Sequence, residues 1–208
     1  MFSKPKHMKS AVFLPFIGIL AVATAVYSCQ SSAESKDKKD GPFLSKSELV
    51  KRGGYLVSVS GCNDCHSPKI MTPQGPIPDT TKLLSGHPAN SPLPPVDPKA
   101  LQPGQWIQMA PDVTAFAGPW GMSFAANLTP DTTTGIGNWT EEVFINTLRT
   151  GKHLGQANGR PILPPMPWPG IGKMTDEDLR AVFAFLQSLP AINNKVPQPV
   201  PPTEVAKK

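Results

Sequence analysis

Five consecutive residues, Cys62-Asn63-Asp64-Cys65-His66, combine two thiols and an imidazole at a spacing suited to covalent capture of a porphyrin. Cysteines three positions apart lie on one side of a helical turn, so each sulfur can reach one of the two vinyl groups along one edge of a haem. The histidine that follows projects beneath the macrocycle, where an imidazole nitrogen can bind iron as the proximal ligand. Cys62 and Cys65 are therefore the candidate attachment residues for a haem c, and His66 is the candidate axial ligand. The chain contains no second C-x-x-C-H, which implies one haem. A bare C-x-x-C also suits a thioredoxin-like redox pair or half of a zinc site. Zinc would need a second pair of ligands, and the only other cysteine is Cys29.

An electron carrier of this chemistry normally has a second axial ligand, and a methionine thioether favours ferrous iron. The candidates are Met71, Met109, Met122, Met166 and Met174, with His87 and His153 as imidazole alternatives. Met174 precedes Thr175, a helix N-cap, and can staple to Leu179. Met166 has no such local role. It lies in Pro161-Ile162-Leu163-Pro164-Pro165-Met166-Pro167-Trp168-Pro169, whose prolines restrict φ and lower the entropy of the unfolded loop. Such a loop can present one side chain at small ordering cost. His87 and His153 read as solvated loop histidines.

Three helices should position these groups. Ser45 and Glu48 form a capping box that opens a helix over 46–59, burying Leu49, Leu56 and Tyr55. Gly53 and Gly54 inside it are each about 1 kcal/mol less favourable than alanine, which suits a close approach by another helix. A second helix is expected over 141–150, with Thr140 as N-cap and Gly151 as stop. A third follows Thr175, with Leu179, Val182, Phe183 and Leu186 on one face and Pro190 at its end. No stretch alternates at strand period, so the expected fold is mainly α, with a long irregular Pro/Gly-rich insert over 67–126. That insert wraps the haem edge, docks a partner, or completes the core as a surface loop; all three readings stand at this point.

At this point a resemblance emerges. Residues 43–66 and 127–197 resemble a class I c-type cytochrome domain. They are similar in particular to the cytochrome modules associated with bacterial alcohol and aldehyde dehydrogenases and related electron-transfer chains. The segments that carry it are Arg52-Gly53-Gly54-Tyr55-Leu56, the Cys62–His66 motif, NLTPDTTTGIGNWTEEVFINTLRTGKH and LPPMPWPGIGKMTDEDLRAVFAFLQSLP. The resemblance implies a cytochrome c-like helical domain around one haem bound by Cys62 and Cys65, with His66 proximal and Met166 distal. It also implies that the first and last helices cross near Gly53. Many relatives carry two or three haem motifs, so the partner does not transfer from the resemblance.

The start of the chain has its own signals. Lys4, Lys6 and Lys9 precede an apolar run from Ala11 to Val26, as in a signal peptide over 1–28. Val26-Tyr27-Ser28-Cys29 resembles a bacterial lipobox, which would make Cys29 a lipidated first residue. The alternative is an uncleaved membrane anchor. Either reading exports the remainder, tethered to a membrane and facing the periplasm or cell exterior. Residues 29–42 should form a flexible tether, 43–197 the cytochrome domain, and 198–208 a disordered tail.

The formal charge of +5 includes three lysines in residues 1–28; without them 17 basic residues face 15 acidic ones. A near-neutral balance with no basic stripe gives no reason to expect nucleic-acid binding. The expected function is one-electron transfer between a dehydrogenase or quinol-oxidising complex and a downstream oxidase or cytochrome, with no catalytic residues. The alternatives are a haem enzyme or gas sensor with a labile distal ligand, and a cytochrome subunit of a larger membrane-bound oxidoreductase complex.

Overall fold

The computed structural model describes residues 44–206. The expected signal peptide over 1–28, Cys29 as the expected lipidation site and the expected tether over 29–42 all lie outside them.

Three helices make the frame. Helix α1 (Lys46–Val59) starts at Ser45, whose hydroxyl accepts from the Glu48 N–H while the Glu48 carboxylate accepts from the Ser45 N–H at 2.8 Å. Helix α2 (Cys62–His66) follows after one turn. Gly61 makes that turn in the left-handed region (φ 67°), which a side chain would disfavour. Helix α3 (Glu141–Thr150) is capped by Thr140 and closed by Gly151, also left-handed at φ 66°. A short α4 (Trp168–Ile171) precedes α5 (Asp176–Gln187), which Thr175 caps by accepting from the Asp178 N–H.

Helices α1 and α5 pack directly on each other, and Gly53 is the reason they can. A Cβ on Gly53 would run into the Ala181 carbonyl and lie 2.7 Å from Phe185 Cβ. The expected crossing at Gly53 is therefore what the structure contains. Around it, Val57, Leu84, Ile136, Phe144, Leu148, Leu179, Val182 and Leu186 form the main core. Ion pairs Arg52–Asp178, Arg149–Asp176 and Arg180–Glu141 join α5 to α1 and α3 at the surface. Exposed pairs of this kind contribute about 1 kcal/mol or less, so the apolar contact dominates. Tyr55, expected inside, is 66% exposed: the face of α1 that meets α5 is the one carrying Gly53 and Val57.

The expectation of an irregular 67–126 insert is corrected. It contains a hairpin, β1 (Lys69–Thr72) with β2 (Gly75–Pro78), and a three-stranded antiparallel sheet in the order β3 (Gln108–Met109), β4 (Ala115–Gly118), β5 (Gly121–Phe124). The strands are two to four residues long, and β4 is buried throughout, so there is no polar face to produce alternation.

The disordered tail is corrected too. Val200 pairs with Met122 across β5, and α6 (Pro202–Val205) buries Val205 beside Ala117 and Met122 in a second, smaller core. Gly121 permits this, since a Cβ there would collide with the Val200 carbonyl. None of the described helices is long and apolar enough to cross a membrane.

Candidate haem-binding site

Helix α2 presents the motif as the spacing requires. Cys62 and Cys65 are both free thiols, half-buried, on its single turn. Burial is the largest influence on each and pushes both thiols above their ordinary pKa, with the nearby Asp64 carboxylate adding to the rise. A dithiol built for redox exchange has a depressed pKa instead. Among the described residues, no group of three or more His, Cys, Asp or Glu could hold a metal ion.

The end of α2 is held from below. Lys69 Nζ donates to the carbonyls of Asn63 (3.2 Å), Asp64 (3.0 Å) and Ser67, placing a cation at the negative end of the helix. Ser67 is fully buried; its hydroxyl donates to Asn63 Oδ1 at 2.8 Å and accepts from the Leu84 N–H at 2.9 Å. These bonds anchor α2 to the start of the insert.

His66 has one ring nitrogen engaged. Nδ1 lies 2.8 Å from the Ala126 carbonyl, an acceptor only, so Nδ1 carries the proton and donates. Nε2 is left with its lone pair. Burial lowers the imidazole pKa, and the Ala126 bond partly opposes that. A neutral imidazole with Nδ1–H tied to a carbonyl is the form in which histidine binds a metal through Nε2.

The sixth-ligand candidates separate by location. Met71 and Met109 are exposed, at 59% and 63%. Met122 is buried in the second core, away from the Cys62 cluster. Met166 and Met174 both pack against the main core, as does Cys62. Met174 stands immediately before the Thr175 cap, and its N–H donates to the Ile171 carbonyl. Met166 sits in a loop held from the sheet: Trp120 Nε1 donates to Ser123 Oγ at 3.1 Å, and Ser123 Oγ donates to the Pro164 carbonyl at 2.6 Å. Gly151 seats the other side, since a Cβ there would strike the Trp168 ring.

His87 and His153 are not solvated loop residues. His87 is 1% exposed, with Nδ1 donating to Thr114 Oγ1 at 2.6 Å and its ring 5.0 Å from that of Phe124. Thr114 in turn donates to Asp112 Oδ2 at 2.7 Å. His153 is half-buried with its ring edge-on to Trp139 at 5.9 Å. Ala126, which fixes the state of His66, was missed in the sequence because a backbone carbonyl has no residue signature.

The residues fit a covalently held haem: two neutral thiols on one turn, an imidazole with one nitrogen committed, and thioethers on the same core. No family model matches the chain. The chain is 34% identical over 168 residues to the fructose dehydrogenase cytochrome subunit of Gluconobacter japonicus, covering 81% of this chain and 27% of that protein. It is 27% identical over 184 residues to the cytochrome c subunit of alcohol dehydrogenase (quinone) from Gluconobacter oxydans, covering 87% and 28%. It is 31% identical over 137 residues to the gluconate 2-dehydrogenase cytochrome c subunit of Pantoea cypripedii, covering 66% and 22%. The chain carries a c-type cytochrome module similar to those of bacterial dehydrogenase cytochrome subunits. It spans less than a third of the length of these relatives.

Proposed function

We propose that the chain is a single-haem c-type cytochrome that carries one electron at a time from a dehydrogenase or quinol-oxidising complex to a downstream oxidase or cytochrome. The observation that carries this reading is the His66 arrangement on α2, with Nδ1 bonded to the Ala126 carbonyl at 2.8 Å beside two free thiols. Cys62 and Cys65 would hold the haem as thioethers, each S–H adding across a vinyl C=C with no electrons exchanged. His66 Nε2 would be the proximal ligand and Met166 the distal one. The bound haem supplies a reversible ferrous–ferric couple. The chain's part is to keep the imidazole neutral, to offer a soft second ligand, and to exclude water with the main core. An exported protein tethered through lipid on Cys29 accords with the signal-like N-terminus.

Mass spectrometry of denatured protein tests the attachment. The expected mass is polypeptide plus one haem that acid–organic extraction does not remove; extractable haem or a second haem would refute it. Spectra of both redox states, with carbon monoxide added to the reduced form, test the function. Low-spin iron that binds carbon monoxide poorly is expected, whereas rapid binding to high-spin iron would point to an enzyme or sensor. Cys29→Ser should release the protein from membranes or leave the precursor unprocessed.

A second reading, a subunit of a larger membrane-bound oxidoreductase complex, is supported by the naming of all three relatives as cytochrome subunits. The exposed Trp106 (91%), Ile107 and Met109 would suit such an assembly. Native mass measurement after mild detergent extraction separates the two readings.

A further inference from the structure

The carbonyl that holds His66 is itself held by chain segments far apart in sequence. Residues 125–128 run alongside the turn Leu84-Ser85-Gly86-His87. The His87 N–H donates to the Ala125 carbonyl at 2.9 Å, and the Leu128 N–H donates to the Leu84 carbonyl at 2.9 Å. Ala126 therefore lies between two bonded neighbours. The same turn touches the motif directly, since the Gly86 N–H donates to the His66 carbonyl at 2.7 Å. The approach needs glycine: Gly86 has φ 80°, and a Cβ there would stand 2.6 Å from the Ala126 carbonyl carbon.

Asn194 closes the outer side of this turn from more than a hundred residues away. Its Nδ2 donates to the Ser85 carbonyl at 2.8 Å and to the His87 carbonyl at 2.9 Å. Its Oδ1 accepts from the Ala89 N–H at 3.0 Å, and its own N–H donates to Thr134 Oγ1 at 3.0 Å. Two carbonyls on one side of the amide and an N–H on the other leave a single orientation for it. Thr134 Oγ1 also accepts from Asn127 Nδ2 at 3.1 Å, so the residue after Ala126 joins the same network.

We propose that Asn194 is a positioning residue for His66: by bridging the Ser85 and His87 carbonyls it holds the 84–87 turn, and through it the Ala126 carbonyl, where His66 Nδ1 must donate. The proposal rests on His66 being the proximal haem ligand. A firm bond from Nδ1–H to a carbonyl makes the imidazole more basic and favours ferric iron. Loosening the turn should weaken that bond and raise the reduction potential.

The test starts with the wild-type holoprotein. If it holds no covalent haem, or if no His66 ring resonance is shifted by the haem in the reduced state, the haem reading fails irrespective of Asn194. Given that resonance, Asn194→Ala should speed exchange of the His66 Nδ1–H about tenfold, the loss of roughly one hydrogen bond. It should also raise the reduction potential. Asn194→Gln, which keeps the amide but moves it by one methylene, should fall between wild type and Asn194→Ala; it carries the test alone if the alanine variant does not retain haem. The Leu179 amide, in the main core, serves as the reference for general destabilisation. An unchanged potential and unchanged Nδ1–H exchange would overturn the proposal. So would an acceleration matched in full at Leu179.

Discussion

The main core and the insert solve different problems with different materials. Around Cys62, three capped helices bury large aliphatic side chains, and Leu179 and Leu186 are almost entirely enclosed. Around Met122, short strands bury small residues, and the neighbouring polar groups His87, Thr114 and Ser123 are buried with their bonds satisfied. Helix α2 carries Cys62, Cys65 and His66, and the proline-rich loop before α4 carries Met166, the residues that would bind the haem. The insert carries much of what aims them: the Ala126 carbonyl at His66, the Ser67–Leu84 bond under α2, and the Ser123 hydroxyl on the Met166 loop. Bulk apolar burial supplies stability, but hydrogen bonds set orientation because they alone are directional. A region that looks like a connecting loop can thus be the part that tunes a site.

The largest expected effect lies on the helical side. His66→Ala should abolish stable holoprotein, seen as loss of covalently bound haem in denaturing mass spectrometry, because binding and folding are coupled. Recovery of wild-type haem content would break the assignment. Met166→Ala comes next, expected to admit carbon monoxide, lower the potential and remove the methionine-to-ferric-iron charge-transfer band. Met174→Ala and Met122→Ala should keep that band. If Met174→Ala alone abolished it, the two main-core methionines would exchange roles.

Smaller effects sharpen the contrast between the two cores. Leu179→Ala should destabilise by about 2–5 kcal/mol in urea titration. Val205→Ala in the second core should cost on the order of 1–2 kcal/mol. Equal values would mean that the insert is as deeply committed to stability as the helices.

The smallest effect is in pH dependence. Burial lowers the His87 pKa, and Asp112 across Thr114 only partly offsets it. Below the ordinary histidine value the unfolded chain therefore binds a proton that the folded chain excludes. Stability is complete at neutral pH and falls as pH drops through the unfolded value towards the folded one. His87→Gln should flatten this slope in urea titrations between pH 7 and 5 without removing it, because burial shifts His153 the same way. An unaltered slope would place the acid sensitivity elsewhere.

The sequence by itself determined the features that are local. The Cys62–His66 spacing, the caps at Ser45, Thr140 and Thr175, and the glycine at the α1–α5 crossing all depend on residues within one helical turn or on a missing side chain. The motif and the caps are legible because their physics acts over three or four positions, and Gly53 because a glycine inside a helix carries a cost that a close approach explains. The structure alone decided which polar groups met. His87 became a core residue, residues 198–206 packed against β5, and Asn194 bonded the 84–87 turn. These outcomes join residues tens to more than a hundred positions apart. They depend on backbone carbonyls, which every residue carries alike, and on strands too short to show a period. Neither leaves a pattern in residue types, and so they become visible only once the chain has closed on itself.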